Sequence, residues 1–209
     1  MWLPDLPIDL LYCILHYLDS EKDVNAFVQA SSNLHKYLNE YLYRRNIKRS
    51  RSLALLWAAE HGRLGTAQKV LGYGANIKTE DEYRGNALQI ASYRGHLDVA
   101  KLLIGSGVDV NAQSGLYGSA LQAASAGGHA EMASMLLSEG ADVNIQGGFY
   151  ATALEAASAG GHQSLVKLLL RKGAVVDVHH VDFGAAFEAA LAGGYEQIIT
   201  MLLEQGYRT

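Results

Sequence analysis

A stretch of 33 residues recurs along this chain, and nothing else in the sequence restricts its fold as much. Residues 85–117 read GNALQIASYRGHLDVAKLLIGSGVDVNAQSGLY, residues 118–150 GSALQAASAGGHAEMASMLLSEGADVNIQGGFY, and residues 151–183 ATALEAASAGGHQSLVKLLLRKGAVVDVHHVDF. A looser copy occupies 52–84 and a shortened one 184–209. A fixed period of this length means units that bury their apolar faces on one another rather than in private cores. The expected fold is all-α: a solenoid of about five helix-turn-helix units over 51–209, preceded by a separate helical segment at 1–50.

The physics of one unit is legible in its residues. Asn86, Ser119 and Thr152 each precede an Ala-Leu pair, and each side chain can accept a hydrogen bond as a helix N-cap. A short Ala-rich helix follows and stops at Gly95, Gly128 or Gly161, where glycine can turn left-handed. In Leu97, Val99, Ala100, Leu102 and Leu103 the apolar residues recur at helical spacing, giving a second helix with one buried stripe. That helix ends at Gly107, Gly140 or Gly173, and an extended Val/Ile segment with turn residues leads into the next unit. Small Ala91, Ala124 and Ala157 let neighbouring helices approach closely.

These units resemble the ankyrin repeat, from Ser52 to the end of the chain. The likeness is carried by the Gly-His pairs (Gly95-His96, Gly128-His129, Gly161-His162), the Leu-Leu pairs, and Gly140-Ala141-Asp142-Val143-Asn144. The family's Thr-Pro-Leu-His becomes Ser119-Ala120-Leu121-Gln122 and its equivalents, so Gln89, Gln122, Glu155 and Glu188 stand where the inter-repeat histidine is usual. Which groups then bridge the units is open. The style of the repeats looks like arrays common in filamentous fungi. A periodic position serves the repeat, so His96, His129 and His162 read as structural.

Before Ser52 the pattern changes. Leu10, Leu11, Ile14, Leu15 and Leu18 recur at helical spacing behind Pro7, and Ser20-Glu21-Lys22-Asp23 resembles a capping box opening a second helix. A third amphipathic stretch runs through Leu34, Leu38 and Leu42 to the basic run Arg44–Arg51, which resembles a localisation or anionic-partner patch but reads first as a solvated linker. The segment resembles an F-box. That resemblance implies docking on the Skp adaptor of a cullin–RING ubiquitin ligase, with Leu6, Pro7, Ile14, Leu15 and Leu18 facing the adaptor. The competing expectation is a plain cap on the apolar side of the first repeat.

Composition narrows the chemistry. A net charge of −4 argues against binding nucleic acid by phosphate neutralisation. Cys13 is the single cysteine, so neither an internal disulfide nor a cysteine-based zinc site can form. The first residues lack the features of a secretory signal, and no run approaches the ~18 apolar residues of a membrane span. A cytoplasmic or nuclear location is expected. No phosphate loop, nucleophile elbow or metal-binding helix motif appears, so no cofactor, metal or catalytic residue is expected. His179 and His180 point to opposite sides of an extended segment and make poor co-ligands.

The expected working surface is the concave face, where ankyrin proteins present loop tips and the ends of first helices to protein clients. Carried over by position, this nominates Glu60, His61, Tyr93 and Arg94 at helix ends. The loop tips add Glu82, Tyr83, Leu116, Tyr117, Phe149, Tyr150, Val181, Asp182 and Phe183. Tyr117, Tyr150 and Phe183 form a ladder at the repeat spacing, beside the nearly bare Ala126-Gly127, Ala159-Gly160 and Ala192-Gly193. Those rings either receive a client or pack on one another. A runner-up function is a groove for a small apolar molecule, guiding a cyclisation or isomerisation with Glu155, Tyr150 or His61; a third is a simple scaffold. At the far end Ile198, Ile199, Met201, Leu202 and Leu203 stand without a polar capping repeat. Either the helix turns them inward or this end pairs, including with a second copy of the chain.

Overall fold

The computed structural model describes residues 53–176 and 184–206. The repeat becomes five helix pairs: α1 (Leu53–Glu60) with α2 (Leu64–Gly72), α3 (Ala87–Arg94) with α4 (Leu97–Gly105), α5 (Ala120–Ala126) with α6 (Ala130–Ser138), α7 (Ala153–Ala159) with α8 (Gln163–Arg171), and α9 (Gly184–Ala192) with α10 (Glu196–Gly206). The first helices stack in chain order, α1 on α3, α3 on α5, α5 on α7 and α7 on α9. Second helices form the other layer, with α2 on α4, α6 on α8 and α8 on α10.

The expected helix punctuation is present. Asn86 Oδ1 accepts the backbone N–H groups of Leu88 and Gln89 at 2.9 and 3.0 Å. Ser119 Oγ accepts that of Gln122 at 3.2 Å, and Thr152 Oγ1 that of Glu155 at 3.1 Å. Each cap satisfies an amide that the first turn leaves without an intrahelical partner. Gly95, Gly128 and Gly161 take φ of 74°, 76° and 70°, turning the chain from one helix into the next.

One continuous core runs the length of the stack. Leu55, Leu88, Leu121 and Leu154 occupy the same register of successive first helices, and Leu103, Leu136 and Leu169 that of successive second helices; all are buried. Each such leucine contributes on the order of 2 kcal/mol by leaving water. Ala91, Ala124 and Ala157 are fully buried between helices, as the spacing of small residues implied. Ser92, Ser125 and Ser158 follow them into the same seam, where only a small side chain fits, and their hydroxyls find no partner among the described residues. At the far end α10 turns Ile198 and Leu202 inward, while Ile199 and Met201 are half-buried against the core.

In the segments between units the turn residues prevail over the extended form. Among the described residues strand pairing is confined to β1 (Glu80–Asp81) with β2 (Gly85–Asn86), antiparallel, and to a single bridge between Ser114 and Gly118. Elsewhere side chains compete with the strand ladder: Asp109 Oδ1 takes the Asn111 N–H and Asp142 Oδ1 the Asn144 N–H, both at 2.9 Å. Such bonds fold the backbone into turns.

Candidate functional site

Three side-chain fasteners hold the loops at fixed positions on the helices. The glutamines in the place of the usual histidine do the bridging that the sequence left open. Gln122 accepts the Ser119 N–H through Oε1 at 2.7 Å and donates from Nε2 to the carbonyls of Gly147 and Ala151, at 2.7 and 2.8 Å. Gln89 does the same one unit earlier, accepting from Asn86 at 2.6 Å and donating to Ala112 at 3.1 Å and to Gly118. Asn111 and Asn144 form the second fastener, each donating to a glycine carbonyl of the next unit, Gly140 or Gly173, at 3.0 Å. In return each accepts an N–H, from Asp142 or Val175, at 2.9 Å.

The recurring histidines are the third, as their period implied. His96 Nε2 lies 3.1 Å from the Glu60 carbonyl and His129 Nε2 lies 2.9 Å from that of Tyr93, so each ring N–H reaches back one unit. Each imidazole also fills the space over a preceding glycine: a side chain at Gly62 or Gly95 would meet His96 or His129 at 2.6 Å. Tyr195 takes the histidine's place over Gly161. The same packing accounts for bareness beside the loops, since a Cβ on Gly127 would meet the His129 ring at 2.7 Å.

On this frame the loop tips pair backbone to backbone. The Leu116 N–H donates to the Tyr83 carbonyl, and the Phe149 N–H to the Leu116 carbonyl, both at 2.7 Å. That approach needs glycine: a Cβ on Gly148 would sit 2.6 Å from the Gly118 nitrogen, and one on Gly115 would sit 2.7 Å from the Gly85 Cα. Tyr83, Leu116 and Phe149, one repeat apart, are thereby held side by side with 65%, 54% and 75% of their surface in water. The exposed ladder therefore lies one residue earlier than the Tyr117, Tyr150, Phe183 series read from sequence. Tyr117 instead stacks on Tyr93 with ring centroids 4.4 Å apart, and Tyr150 meets Phe149 edge-on at 4.9 Å. Burial, and then the hydrogen bond with Tyr93, push the Tyr117 phenol well above the usual tyrosine range. For these two rings, packing on neighbours is what the structure shows.

Beside the Tyr93–Tyr117 stack lies the charged part of the surface. Glu60, at the end of α1, receives Arg94 through Nε at 2.9 Å and through Nη2, and Arg84 at 3.5 Å. Arg84 also holds Asp81 at 3.1 Å, and this bond lowers the Asp81 carboxyl to about 2. Arg94 lies over the Tyr93 ring at 5.6 Å. His61 stacks on Trp57 at 4.5 Å and bonds to the Trp57 carbonyl at 2.9 Å. Sequence reasoning nominated Glu60, His61, Tyr93 and Arg94, and they do gather here. It missed Trp57 and Arg84, although Arg84 stands two residues after an Asp-Glu pair and one loop beyond Glu60.

Fold, period and inter-unit bonds together point to one family, whose model, described as ankyrin repeats (three copies), matches residues 9–114, 55–147 and 120–209. The chain belongs to the ankyrin-repeat family. The first match begins inside the segment read as F-box-like, so the ankyrin pattern extends ahead of the unit that starts at Ser52. None of the curated proteins compared with the chain matches it.

Within this ankyrin array the acid and base groups of the runner-up reading are dispersed. His61 belongs to the first unit and Glu155 to α7 in the fourth. Glu155 borders a cavity of about 200 Å³ with Thr152, Val175, Val176, Ala186 and Phe187. No second acid or base lines it among the described residues. No group of three metal-ligating side chains occurs among the described residues, and none of their helices is long and apolar enough to cross a membrane. Val181, Asp182 and Phe183 lie outside the described residues, as do His179, His180 and the adaptor-facing set Leu6, Pro7, Ile14, Leu15 and Leu18.

Proposed function

We propose that this ankyrin-repeat protein binds a protein client across its loop tips and the adjoining ends of α1 and α3. The observation that carries the reading is the Tyr83–Leu116–Phe149 ladder. Three large apolar side chains stand in water on backbones fixed by direct inter-unit hydrogen bonds. Rigid apolar anchors lose little freedom on binding, and interface energy concentrates in such groups. The neighbouring Glu60–Arg94–Arg84 cluster and His61 supply a polar edge. Replacing Leu116 and Phe149 together by serine is expected to reduce client capture from cell extract about tenfold or more, with helical circular dichroism unchanged. Undiminished capture by the folded double variant would remove the ladder from the interface.

The client-binding array serves, in this reading, as the substrate receptor of a cullin–RING ubiquitin ligase working in the cytoplasm or nucleus. Support comes from the residues of the first fifty positions: Leu6-Pro7, Ile14-Leu15 and Leu18 follow the F-box pattern and precede an interaction array. The full chain is then expected to co-purify with a Skp adaptor, and residues 52–209 are not. Equal adaptor recovery from both, or from neither, leaves the N-terminal segment as part of the repeat stack, as the family match from residue 9 suggests.

A further inference from the structure

The contact between a loop tip and the end of the first helix before it recurs with the repeat but changes in chemistry. Tyr93 at the end of α3 meets Tyr117 in the loop that follows, with ring centroids 4.4 Å apart. One period earlier the same two positions hold Glu60 and Arg84, and the contact is an ion pair at 3.5 Å. The fasteners change in the same unit. Gln89 and Gln122 tie down the loops that follow them, whereas the residue in their register on α1 is Leu56, 2% exposed, whose side chain neither donates nor accepts. Asn111 and Asn144 are preceded in register by Lys78, which cannot accept the N–H that each asparagine accepts.

Charge does the work instead at the first loop. Asp81 Oδ1 accepts the N–H groups of Tyr83 and Arg84 at 3.0 and 2.9 Å, which folds the tip, and Oδ2 accepts Arg84 Nη2 at 3.1 Å. Nη1 of the same guanidinium reaches across to Glu60 Oε2. Glu60 is itself fixed for this contact. Its side chain is only 16% exposed, its Oε1 receives Arg94, and its backbone carbonyl is bonded to His96. Tyr83 passes the position forward, since its carbonyl accepts the Leu116 N–H.

We infer that Glu60 is a positioning residue for the first anchor of the ladder: through Arg84 it holds Tyr83 in line with Leu116 and Phe149. It does by charge what the glutamines do for the other two tips. The consequence for binding rests on the ladder being the client surface. An ion pair whose guanidinium is half in water weakens as salt screens it, and uncharged amide bonds and ring stacks are spared that screening. Salt therefore loosens Tyr83 alone, and the client surface shortens from three anchors to two as ionic strength rises.

Residue-resolved hydrogen exchange of the full chain by NMR tests this, because the Leu116 N–H reports on the Tyr83 carbonyl and the Phe149 N–H on that of Leu116. Between about 20 and about 500 mM sodium chloride the Leu116 amide is expected to exchange about threefold faster, the size of one exposed ion pair, with Phe149 unchanged as the internal reference. Glu60→Gln should give the faster rate already at low salt and abolish the salt response. Arg94→Gln, which removes the other guanidinium on Glu60, should leave both as they are. Parallel behaviour of Leu116 and Phe149 at the two salt concentrations overturns the inference. So does a folded Glu60→Gln chain that keeps the salt response, or an Arg94→Gln chain that loses it. No client enters this measurement, so its failure leaves the ladder to be judged by the serine double variant.

Discussion

Gln122→Leu is expected to lower the stability of the array by about 3 kcal/mol, one of the two largest losses that the structure assigns to a single polar or glycine position. Leucine keeps the volume of the 2%-exposed glutamine but removes one acceptor and two donations. The Ser119 N–H then loses its partner in a buried place, at roughly 1–3 kcal/mol, and the part-buried carbonyls of Gly147 and Ala151 lose theirs at the low end of that range. Because each unit touches only its neighbours, the break falls at one joint. Urea denaturation followed by circular dichroism should show a lower midpoint and a broader transition, as units on either side of the joint lose cooperativity. Gln122→Glu should fall between, recovering at acid pH. A loss under about 1 kcal/mol for Gln122→Leu would mean that the glutamine bridge is ornamental and that helix packing alone sets the register.

Gly148→Val should cost a comparable amount by another route. The residue sits at φ +67°, where a β-branched side chain is strained by about 1–3 kcal/mol. Its Cβ would also lie 2.6 Å from the Gly118 nitrogen and 2.8 Å from the Leu116 carbonyl oxygen. Those are backbone atoms, so the loop tip itself must lift, taking with it the Phe149-to-Leu116 hydrogen bond. A fall in melting temperature of roughly 10 °C is expected for a domain of this size. Client binding should fall with it even at temperatures where the variant is folded, because Phe149 leaves its place beside Leu116. Gly140→Ala offers a comparison: φ is also positive there, +90°, but a Cβ meets nothing within 4 Å, so only the backbone strain remains. Equal melting temperatures for the two variants would show that the tips do not press on each other.

Much of the repeat could be read without coordinates because each unit repeats the same local chemistry. The caps at Asn86, Ser119 and Thr152, the glycine exits at Gly95, Gly128 and Gly161, and the buried alanines are all decided within about a dozen residues of chain. The bridging role of Gln89 and Gln122 was not legible, since their partners lie 23 to 29 residues away and two of them, Gly118 and Ala151, belong to the next unit. Whether Tyr117 and Tyr150 receive a client or pack on neighbouring rings stayed open in sequence for a similar reason. Tyr117 looks as exposed as Leu116 in sequence, until α3 delivers Tyr93 to stack on it. The turn residues of the Val/Ile segments were readable in sequence, and they prevail over extended backbone because Asp109 and Asp142 bond the backbone two residues on.

By itself the sequence determined the period, the helix pairs and the burial of one stripe on each, because periodic apolar spacing and capping residues act over one or two turns. Only the stacking of units decided which rings stay in water and which carbonyls receive the glutamine amides. Those outcomes depend on distances between residues one period apart, and such distances exist only once neighbouring units have packed.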